Sequence, residues 1–193
     1  MRKRFTVFLL FTVVALAGCE ALRPTPASMP EPTLDPAHWS VYQDLEHHFS
    51  FAYPKSYDLH PLCAPQVKPG DLSSPDFSVS LNNSNIKVTL TPLSDPKQTD
   101  PQSAVDSLRS FWSGTYQVSF DDPVKRSVAG LPAISQRYTT VYNKNGFLIS
   151  TFFIKNGILY TVYLNSPATC DGYPDTPPVD QAYERVLTSF HIQ

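Results

Sequence analysis

The chain has 193 residues, of which 41% are hydrophobic and 17% are charged, and this composition excludes a disordered protein and a coiled coil. Glycine is scarce, with 7 residues against 19 prolines, and it follows no period, so a collagen-like repeat is excluded. With 15 basic and 17 acidic residues, the formal net charge is −2, which gives no indication of nucleic-acid binding.

Residues 1–18 have the pattern of a secretion signal. Three basic residues, Arg2 to Arg4, open the chain, and the apolar run from Phe5 to Ala17 is broken only by two threonines. A basic start, a short apolar run and small residues before a cleavage site define such a signal. The run of about 13 residues is shorter than the roughly 20 needed for a spanning helix, so a cleaved signal is favoured over a permanent transmembrane anchor.

The signal ends in a sequence typical of lipid attachment. Leu16-Ala17-Gly18-Cys19 resembles the bacterial lipobox, in which a dedicated peptidase cuts before the cysteine. The cut is therefore predicted between Gly18 and Cys19, and the Cys19 thiolate supplies the nucleophile that takes a diacylglycerol. A palmitate-type chain on the new amine would add to this anchor, and two or more acyl chains hold a protein stably on a membrane. The alternative is a plain signal peptide in which the cysteine occurs by chance.

Residues 19–38 are predicted to be a lipidated tether. Prolines recur among threonine, serine, alanine and glutamate, at Pro24, Pro26, Pro30, Pro32 and Pro36. Such a segment cannot bury a core and favours extended polyproline II, at about 3.1 Å per residue. A proline-rich docking ligand is the alternative. Because 3 of the 15 basic residues lie in segment 1–18, the rest of the chain has a net charge of about −5, and an anionic membrane surface repels it mildly.

Residues 39–193 are predicted to form one globular domain that begins with strands. A domain of about 155 residues buries roughly two-thirds of its unfolded surface, which is enough for a stable core without a metal. Apolar and polar side chains alternate, as in half-buried strands, over five segments: 48–53, 77–81, 86–90, 116–120 and, more weakly, 124–128. Asn82–Asn85 are predicted to connect the second and third of these segments as a hairpin turn.

Three later segments are predicted to form a meander of buried strands: 134–142, 147–154 and 158–164. Asn145-Gly146 and Asn156-Gly157 separate them, and Asn-Gly supplies the positive φ angles that tight hairpins require. The second and third of these strands are apolar on both sides, with Phe152 and Phe153 as neighbouring examples. Both faces of this sheet must therefore be covered.

Two helices are predicted to cover the sheet. The first begins at Asp100-Pro101, a capping residue followed by proline, and ends at Gly114. Its apolar stripe has helical spacing and consists of Ala104, Val105, Leu108, Phe111 and Trp112. The second follows Pro177-Pro178 and runs from about Val179 to Phe190. The predicted fold class is α+β, an antiparallel β-sheet covered by helices on both faces.

Four features follow one another in an order that is typical of a known family. Phe49-Ser50-Phe51-Ala52-Tyr53-Pro54 opens the domain, Val128-Ala129-Gly130-Leu131-Pro132-Ala133 follows the first helix, the meander comes next, and the last helix ends in Ser189-Phe190. The first of these segments is similar to the aromatic-x-aromatic-x-Tyr-Pro opening of PsbP-like domains. This family includes the extrinsic photosystem II protein, a nuclear GTPase-release factor and many bacterial lipoproteins. Each motif is short, so their order over most of the domain carries the resemblance.

The resemblance implies an α/β/α sandwich and a non-catalytic role in binding other proteins. Ser56-Tyr57 stand where relatives often carry tryptophan after the Tyr-Pro, and this change keeps an aromatic residue. The resemblance links no residue of this chain to manganese, calcium or chloride, so a photosystem role is not carried over.

Cys63 and Cys170 are left once Cys19 is assigned to the lipid. Exported chains meet an oxidising environment, so a disulfide between these two residues is predicted. In the chain-entropy model, closing a loop of about a hundred residues stabilises a protein by up to roughly 4.7 kcal/mol. Two separate thiols are the alternative, because the sequence does not give the distance between them.

The sequence contains no common motif for catalysis or metal binding. It has no H-E-x-x-H, no C-x-x-C, no G-x-S-x-G and no glycine-rich phosphate loop. The five histidines are scattered and are expected to be solvated, with His47 and His48 on opposite sides of a strand. We therefore expect no enzyme activity, no catalytic or metal-binding residue, no cofactor and no nucleic-acid partner.

The predicted function is that of a membrane-anchored extracytoplasmic lipoprotein whose domain binds or assembles another envelope protein. The alternative is a small-molecule-binding lipoprotein with a pocket between sheet and helix, and an enzyme comes third. A large apolar pocket favours a small molecule, whereas a flat aromatic patch favours a protein partner. Six aromatic residues are candidates for such a patch or for the sheet core: Trp39, Tyr42, Tyr53, Tyr57, Tyr138 and Tyr142.

Overall fold

The computed structural model describes residues 37–68, 77–115, 117–141, 146–166 and 176–193. Every described residue belongs to one compact unit of the chain, residues 34–193. The predicted signal segment and all but the end of the predicted tether lie outside the described residues, so the predicted boundaries after residues 18 and 38 stay predictions. In the part of the chain that is described, no helix has both the length and the apolar character needed to cross a membrane.

The described residues form a strand-rich domain. Its strands are β1 (Trp39–Asp44), β2 (Phe49–Pro54), β3 (Gln66–Lys68), β4 (Ser78–Leu81), β5 (Ile86–Pro92), β6 (Val118–Phe120), β7 (Val124–Val128), β8 (Leu131–Thr140), β9 (Phe147–Lys155), β10 (Ile158–Ser166) and β11 (His191–Ile192). Its α-helices are α1 (Gln102–Thr115) and α2 (Val179–Thr188), and a short 3₁₀ helix spans Lys55–Leu59.

The strands form two sheets, and neighbouring strands are antiparallel throughout both. The large sheet has the order β3-β4-β5-β10-β9-β8-β6, and β7 also pairs with β8. Because β8, β9 and β10 pair in succession, the predicted meander is confirmed. The small sheet has the order β1-β2-β11, so the last strand of the chain lies beside the second.

Alternation along β9 directs neighbouring side chains into two separate apolar clusters. Phe153 belongs to the main core, together with Phe49 of β2 and Val186 of α2. Phe152 belongs to a smaller cluster with Val105 of α1 and Ile134 of β8. Fully burying one such side chain stabilises a protein by about 1.5–3 kcal/mol, so both clusters contribute to holding the helices on strands. The fold is thus a mostly antiparallel sheet with two packed α-helices.

Aromatic rings join the small sheet to the large one. Phe49 of β2 and Phe190, which follows α2, stack with centroids 5.6 Å apart and 2° between their planes. Phe190 meets Phe153 of β9 edge-on at 5.1 Å, and Phe153 stacks on Tyr160 of β10 at 5.2 Å. Aromatic pairs of this geometry contribute about 0.5–1.5 kcal/mol beyond burial. The aromatic opening of the domain and the end of its last helix therefore share one core.

The turn between β1 and β2 differs from the prediction for its histidines. The turn covers residues 45–48 and β2 begins at Phe49, so His47 and His48 do not lie on opposite sides of a strand. His48 is exposed and has a positive φ of 58°. His47 is buried, and its Nδ1 lies 3.0 Å from Oδ2 of Asp44. The expectation of a solvated side chain is therefore wrong for His47, because the turn brings its ring back against the core.

The ends of the predicted elements shift by a few residues. α2 ends at Thr188 rather than Phe190, α1 continues one residue past Gly114, and β8 begins at Leu131 rather than Ile134. The sequence pattern does not predict β1, β3 or β11, because they are short or only weakly alternating. Tyr116 and Tyr142, at the ends of two predicted strands, lie outside the described residues.

Candidate functional site

Helix α1 packs on the large sheet through the apolar stripe that the sequence predicts, except at one residue. The Gln102 amide donates a hydrogen bond of 2.9 Å to Oδ1 of Asp100, which confirms the predicted capping residue. Val105 is fully buried, and Leu108 packs partly buried against the same cluster. Phe111, by contrast, is 63% exposed.

A partly buried polar contact fixes one side of α1. Arg109 donates from Nε to Oε1 of Gln136 at 2.8 Å and from Nη2 to the carbonyl oxygen of Asp121 at 3.0 Å. Gln136, on β8, donates from Nε2 to the carbonyl oxygens of Asp121 and Arg137, both at 2.8 Å. Hydrogen bonds of this length to a charged group are among the stronger ones in proteins, so they hold α1 in register with β8.

On another side of α1 lies a groove, which we call the α1 groove, with a volume of about 500 Å³. Its apolar lining comes from the segment after β5, from α1 and from β9 and β10: Leu93, Ala104, Leu108, Phe111, Phe152, Ile154 and Leu159. Its polar lining consists of Gln98, Ser103 and Ser107, and Nε2 of Gln98 donates to the hydroxyl of Ser103. None of the described residues that line the groove is charged.

The α1 groove offers apolar surface and a few neutral polar groups. Nucleophilic or acid–base catalysis needs an activated or titratable side chain beside the reacting group. The described lining offers two serine hydroxyls and one amide with no base among them. Its volume and its apolar character lie in the range of sites that bind small apolar groups.

The tyrosines with raised pKa values lie elsewhere. Burial, with the charge of Asp44 beside it, raises the pKa of Tyr42 to about 12. Burial and a hydrogen bond to Asp58 raise the pKa of Tyr53 to about 12. Each hydroxyl donates to its carboxylate, at 3.3 Å and 2.7 Å respectively. Both tyrosines stay neutral near pH 7, and neither lines the α1 groove.

Most of the residues predicted for signal cleavage, lipidation and the disulfide fall in parts of the chain that the structure does not describe. Gly18, Cys19 and Cys170 lie outside the described residues. Cys63 is 1% exposed, and its carbonyl oxygen accepts a hydrogen bond of 2.9 Å from the amide of Asn82. The disulfide between Cys63 and Cys170 therefore stays a prediction.

The candidate aromatic surface is divided between core and partly exposed positions. Tyr53, Tyr57 and Tyr138 are buried, so they belong to the core and offer no patch to a partner. Trp39 and Tyr42 are half-buried, and the Arg185 guanidinium lies 4.8 Å from the ring centroid of Trp39.

Within the described ranges, no group of three or more His, Cys, Asp or Glu side chains is placed to hold a metal ion.

Sequence reasoning predicts the α1 stripe and offers a pocket between sheet and helix as an alternative, but it names no residue that lines such a pocket. The groove lies where α1 no longer covers the sheet. Its position depends on residues distant in the chain, such as Leu93 and Leu159. One signal was available: Phe111 stands at the edge of the stripe, next to the polar positions of Ser103 and Ser107 on the same helix.

Comparison with known proteins identifies the fold. No protein family model matches the chain, and no curated protein matches it. The solution structure of cyanobacterial PsbP (CyanoP) from Synechocystis sp. PCC 6803 superposes with a TM-score of 0.53 at 16% sequence identity. The match covers 83% of this chain and 96% of that one. The fold of this chain is therefore PsbP-like, as the order of its sequence motifs predicts.

Proposed function

We propose that this chain is a lipoprotein anchored through Cys19 on the extracytoplasmic side of a cell membrane, with a non-catalytic domain that binds another envelope protein. The basic start, the apolar run and the lipobox-like Leu16-Ala17-Gly18-Cys19 support the anchor. The proline-rich composition of residues 19–38 supports a spacer. The PsbP-like fold supports a binding domain by fold analogy.

We further infer that the domain is layered as an α/β/α sandwich. Phe152 and Phe153 are consecutive on β9, so their side chains point to opposite faces of the large sheet. Phe152 clusters with Val105 of α1, whereas Phe153 shares the main core with Val186 of α2. In this arrangement the α1 groove opens on the face away from α2.

The exposed ring of Phe111 beside the α1 groove is the observation that carries the binding role. The other apolar residues of the α1 stripe are buried or half-buried, whereas Phe111 is 63% exposed. An aromatic ring at the rim of an apolar groove is typical of the anchoring points of protein interfaces, where aromatic residues are enriched. A partner that inserts an apolar side chain into the groove would cover Phe111 and Leu108 together.

Site-specific photo-crosslinking in intact cells tests this proposal. A photoreactive benzoylphenylalanine is placed at Ser107, which lines the groove, or at Asp106, which is exposed and does not line it. These positions are adjacent on α1, so expression, anchoring and helix stability are matched. We expect the full chain with the probe at position 107 to form a discrete protein adduct, and the chain with the probe at position 106 to form much less of it.

The yield of the adduct can contradict the proposal, and a second variant tests the part that Phe111 plays. Equal adducts from both positions, or no adduct from either, would show that the groove is not a partner site. Adding Phe111→Ser to the chain with the probe at position 107 should reduce the yield, because the partner loses an aromatic contact while the exposed ring contributes little to folding. An unchanged yield would remove Phe111 from the interface.

A second candidate function is the binding of a neutral, apolar small molecule in the α1 groove. The volume of about 500 Å³ and the uncharged lining favour it. In the same experiment, this function predicts a small increase in mass on the chain with the probe at position 107 instead of a protein adduct. Mass spectrometry of the irradiated chain therefore separates the two candidates.

A further inference from the structure

A second groove, which we call the α2 groove, lies between α2 and strands β7, β8 and β9 and has a volume of about 360 Å³. The strand register places Val124 opposite Ser135 and Arg137 opposite Ile149, so these side chains lie on one face of the sheet. Tyr183 of α2 forms part of the opposite wall. The α2 groove shares no lining residue with the α1 groove.

The first arginine of the α2 groove is held in place by an ion pair. Arg126 donates from Nη2 to Oε2 of Glu184 at 2.7 Å and from Nη1 to Oε1 at 3.0 Å. This pairing raises the pKa of Arg126, so the guanidinium stays charged. Its Nε is buried and has no hydrogen-bond acceptor among the described residues. The carboxylate of Glu184 thus neutralises one positive charge of the groove but does not use every donor of Arg126.

The second arginine of the α2 groove, Arg137, is oriented by an aromatic ring. The Cζ atom of Arg137 lies 3.9 Å from the ring centroid of Phe147, and stacking of this kind fixes the plane of a guanidinium. In the described part of the chain, Oδ2 of Asp121 lies 3.7 Å from Nε of Arg137, which is too long for a hydrogen bond. The side chains of Arg137 and Asp121 are 51% and 63% exposed, so solvent weakens this pair.

The charge and shape of the α2 groove indicate one kind of ligand. Two guanidinium groups face one carboxylate among its described lining residues, and that carboxylate is already paired. The donors of Arg137 match the planar, two-oxygen geometry of a carboxylate. Val124 and Ile149 add apolar surface next to it. We propose that the α2 groove binds a small organic carboxylate with a compact apolar body, whose carboxylate pairs with Arg137 and displaces the long contact to Asp121.

Calorimetric titration of the full chain with 4-methylbenzoate tests this site. This probe combines a carboxylate with a compact apolar ring, and 4-methylbenzamide has nearly the same shape without the charge. We expect the benzoate to bind the wild-type chain and the amide to bind at least about tenfold more weakly, a difference of roughly 1.4 kcal/mol. Arg137→Gln should weaken binding of the benzoate by at least about the same factor.

Lys125→Gln is the matched control, because it removes one positive charge from the same edge of the sheet. Lys125 is exposed and pairs with Ile134, whose side chain belongs to the α1 cluster, so it points away from the α2 groove. This variant should bind the benzoate as the wild type does. Equal weakening in both variants, equal binding of the two probes, or no heat from the wild type at millimolar probe would each overturn the proposal. Since the two grooves share no residue, none of these results bears on the proposed role of the α1 groove.

Discussion

The side chain of Gln136 shows how a single buried polar residue sets the position of α1. Gln136 has no solvent exposure, and a buried amide is tolerated only when its donors and its acceptor are paired. It accepts from Arg109 of α1 and donates to the carbonyl oxygen of Asp121, between β6 and β7. The side-chain amide of Gln136 therefore links three parts of the domain: α1, the connection between β6 and β7, and β8, the strand to which Gln136 belongs.

Replacing Gln136 by Leu should lower the free energy of unfolding by about 1–3 kcal/mol, because Arg109 and the Asp121 carbonyl each lose a partner at a partly buried contact. Equilibrium unfolding in urea, followed by circular dichroism, measures the change. Gln43→Leu is the control, since Gln43 is exposed and its replacement should change the free energy by no more than about 0.5 kcal/mol. Similar losses in the two variants would mean that Gln136 does not have this linking role.

Burial of single residues is predictable where a local pattern decides it and unpredictable where a distant contact does. The alternation around Phe49 and Phe51 predicts their shared buried face, which the structure confirms. His47 is different, because its burial depends on Phe77, which lies thirty positions further along the chain. The centroids of the two rings are 3.8 Å apart, and only folding brings them together. Gln136 escapes prediction for the same reason: its partners come from two other elements.

At the scale of elements, the turn between β9 and β10 shows why an Asn-Gly pair predicts a hairpin so well. Asn156 and Gly157 have φ angles of 53° and 75°, and side chains other than that of glycine adopt such values at a cost. The carbonyl oxygen of Gly157 accepts a hydrogen bond of 2.8 Å from the amide of Leu93. The turn therefore also ties the end of β5 to the meander.

Gly157→Ala should destabilise the domain by about 1–2 kcal/mol from the positive φ alone, because a Cβ atom crowds the left-handed conformation. The new Cβ would also lie 3.0 Å from two carbon atoms of Pro96, and one of them is backbone. Gly114→Ala is the matched control: apart from the neighbouring residues and backbone of α1 itself, no described atom lies within 4 Å of its new Cβ, and the position is helical. That variant should be stabilised by up to about 1 kcal/mol. Thermal unfolding should show a lower melting temperature for Gly157→Ala and an equal or higher one for Gly114→Ala than for the wild type. Equal shifts of the melting temperature in the two variants would contradict this account of the turn.

The elements that the sequence predicts are those that are long and strongly patterned. β8, β9 and β10 are predicted because they are long and separated by turn residues, and because β9 and β10 are apolar on two faces. β11 consists of two residues and becomes a strand only because β2 offers it an edge. A pocket between sheet and helix is an alternative that the sequence suggests, but the position of the α1 groove is not predictable, because its opposite wall comes from β9, β10 and the segment after β5.

For the whole molecule, composition suggests how the chain is organised but indicates no binding site. Anchor, spacer and domain each have a distinct composition, so the sequence alone suggests all three. The two grooves have no such signature: one is uncharged and the other carries two arginines, and each is assembled from segments far apart in the chain. A binding role carried by such surfaces needs the domain to be held near its partners, and the proposed anchor would do this.

The anchor is the part of the proposal that one substitution tests most directly. Cys19→Ala should abolish lipid attachment, because alanine has no thiol to form the thioether. In cells supplied with an alkyne-tagged palmitate, the wild-type chain should be labelled and should sediment with membranes, whereas the variant should be unlabelled and should stay in the supernatant. Ser28→Ala, in the predicted tether, is the control and should behave as the wild type. If the Cys19→Ala chain still sediments with membranes, then another segment holds the protein there, and the lipid anchor is wrong.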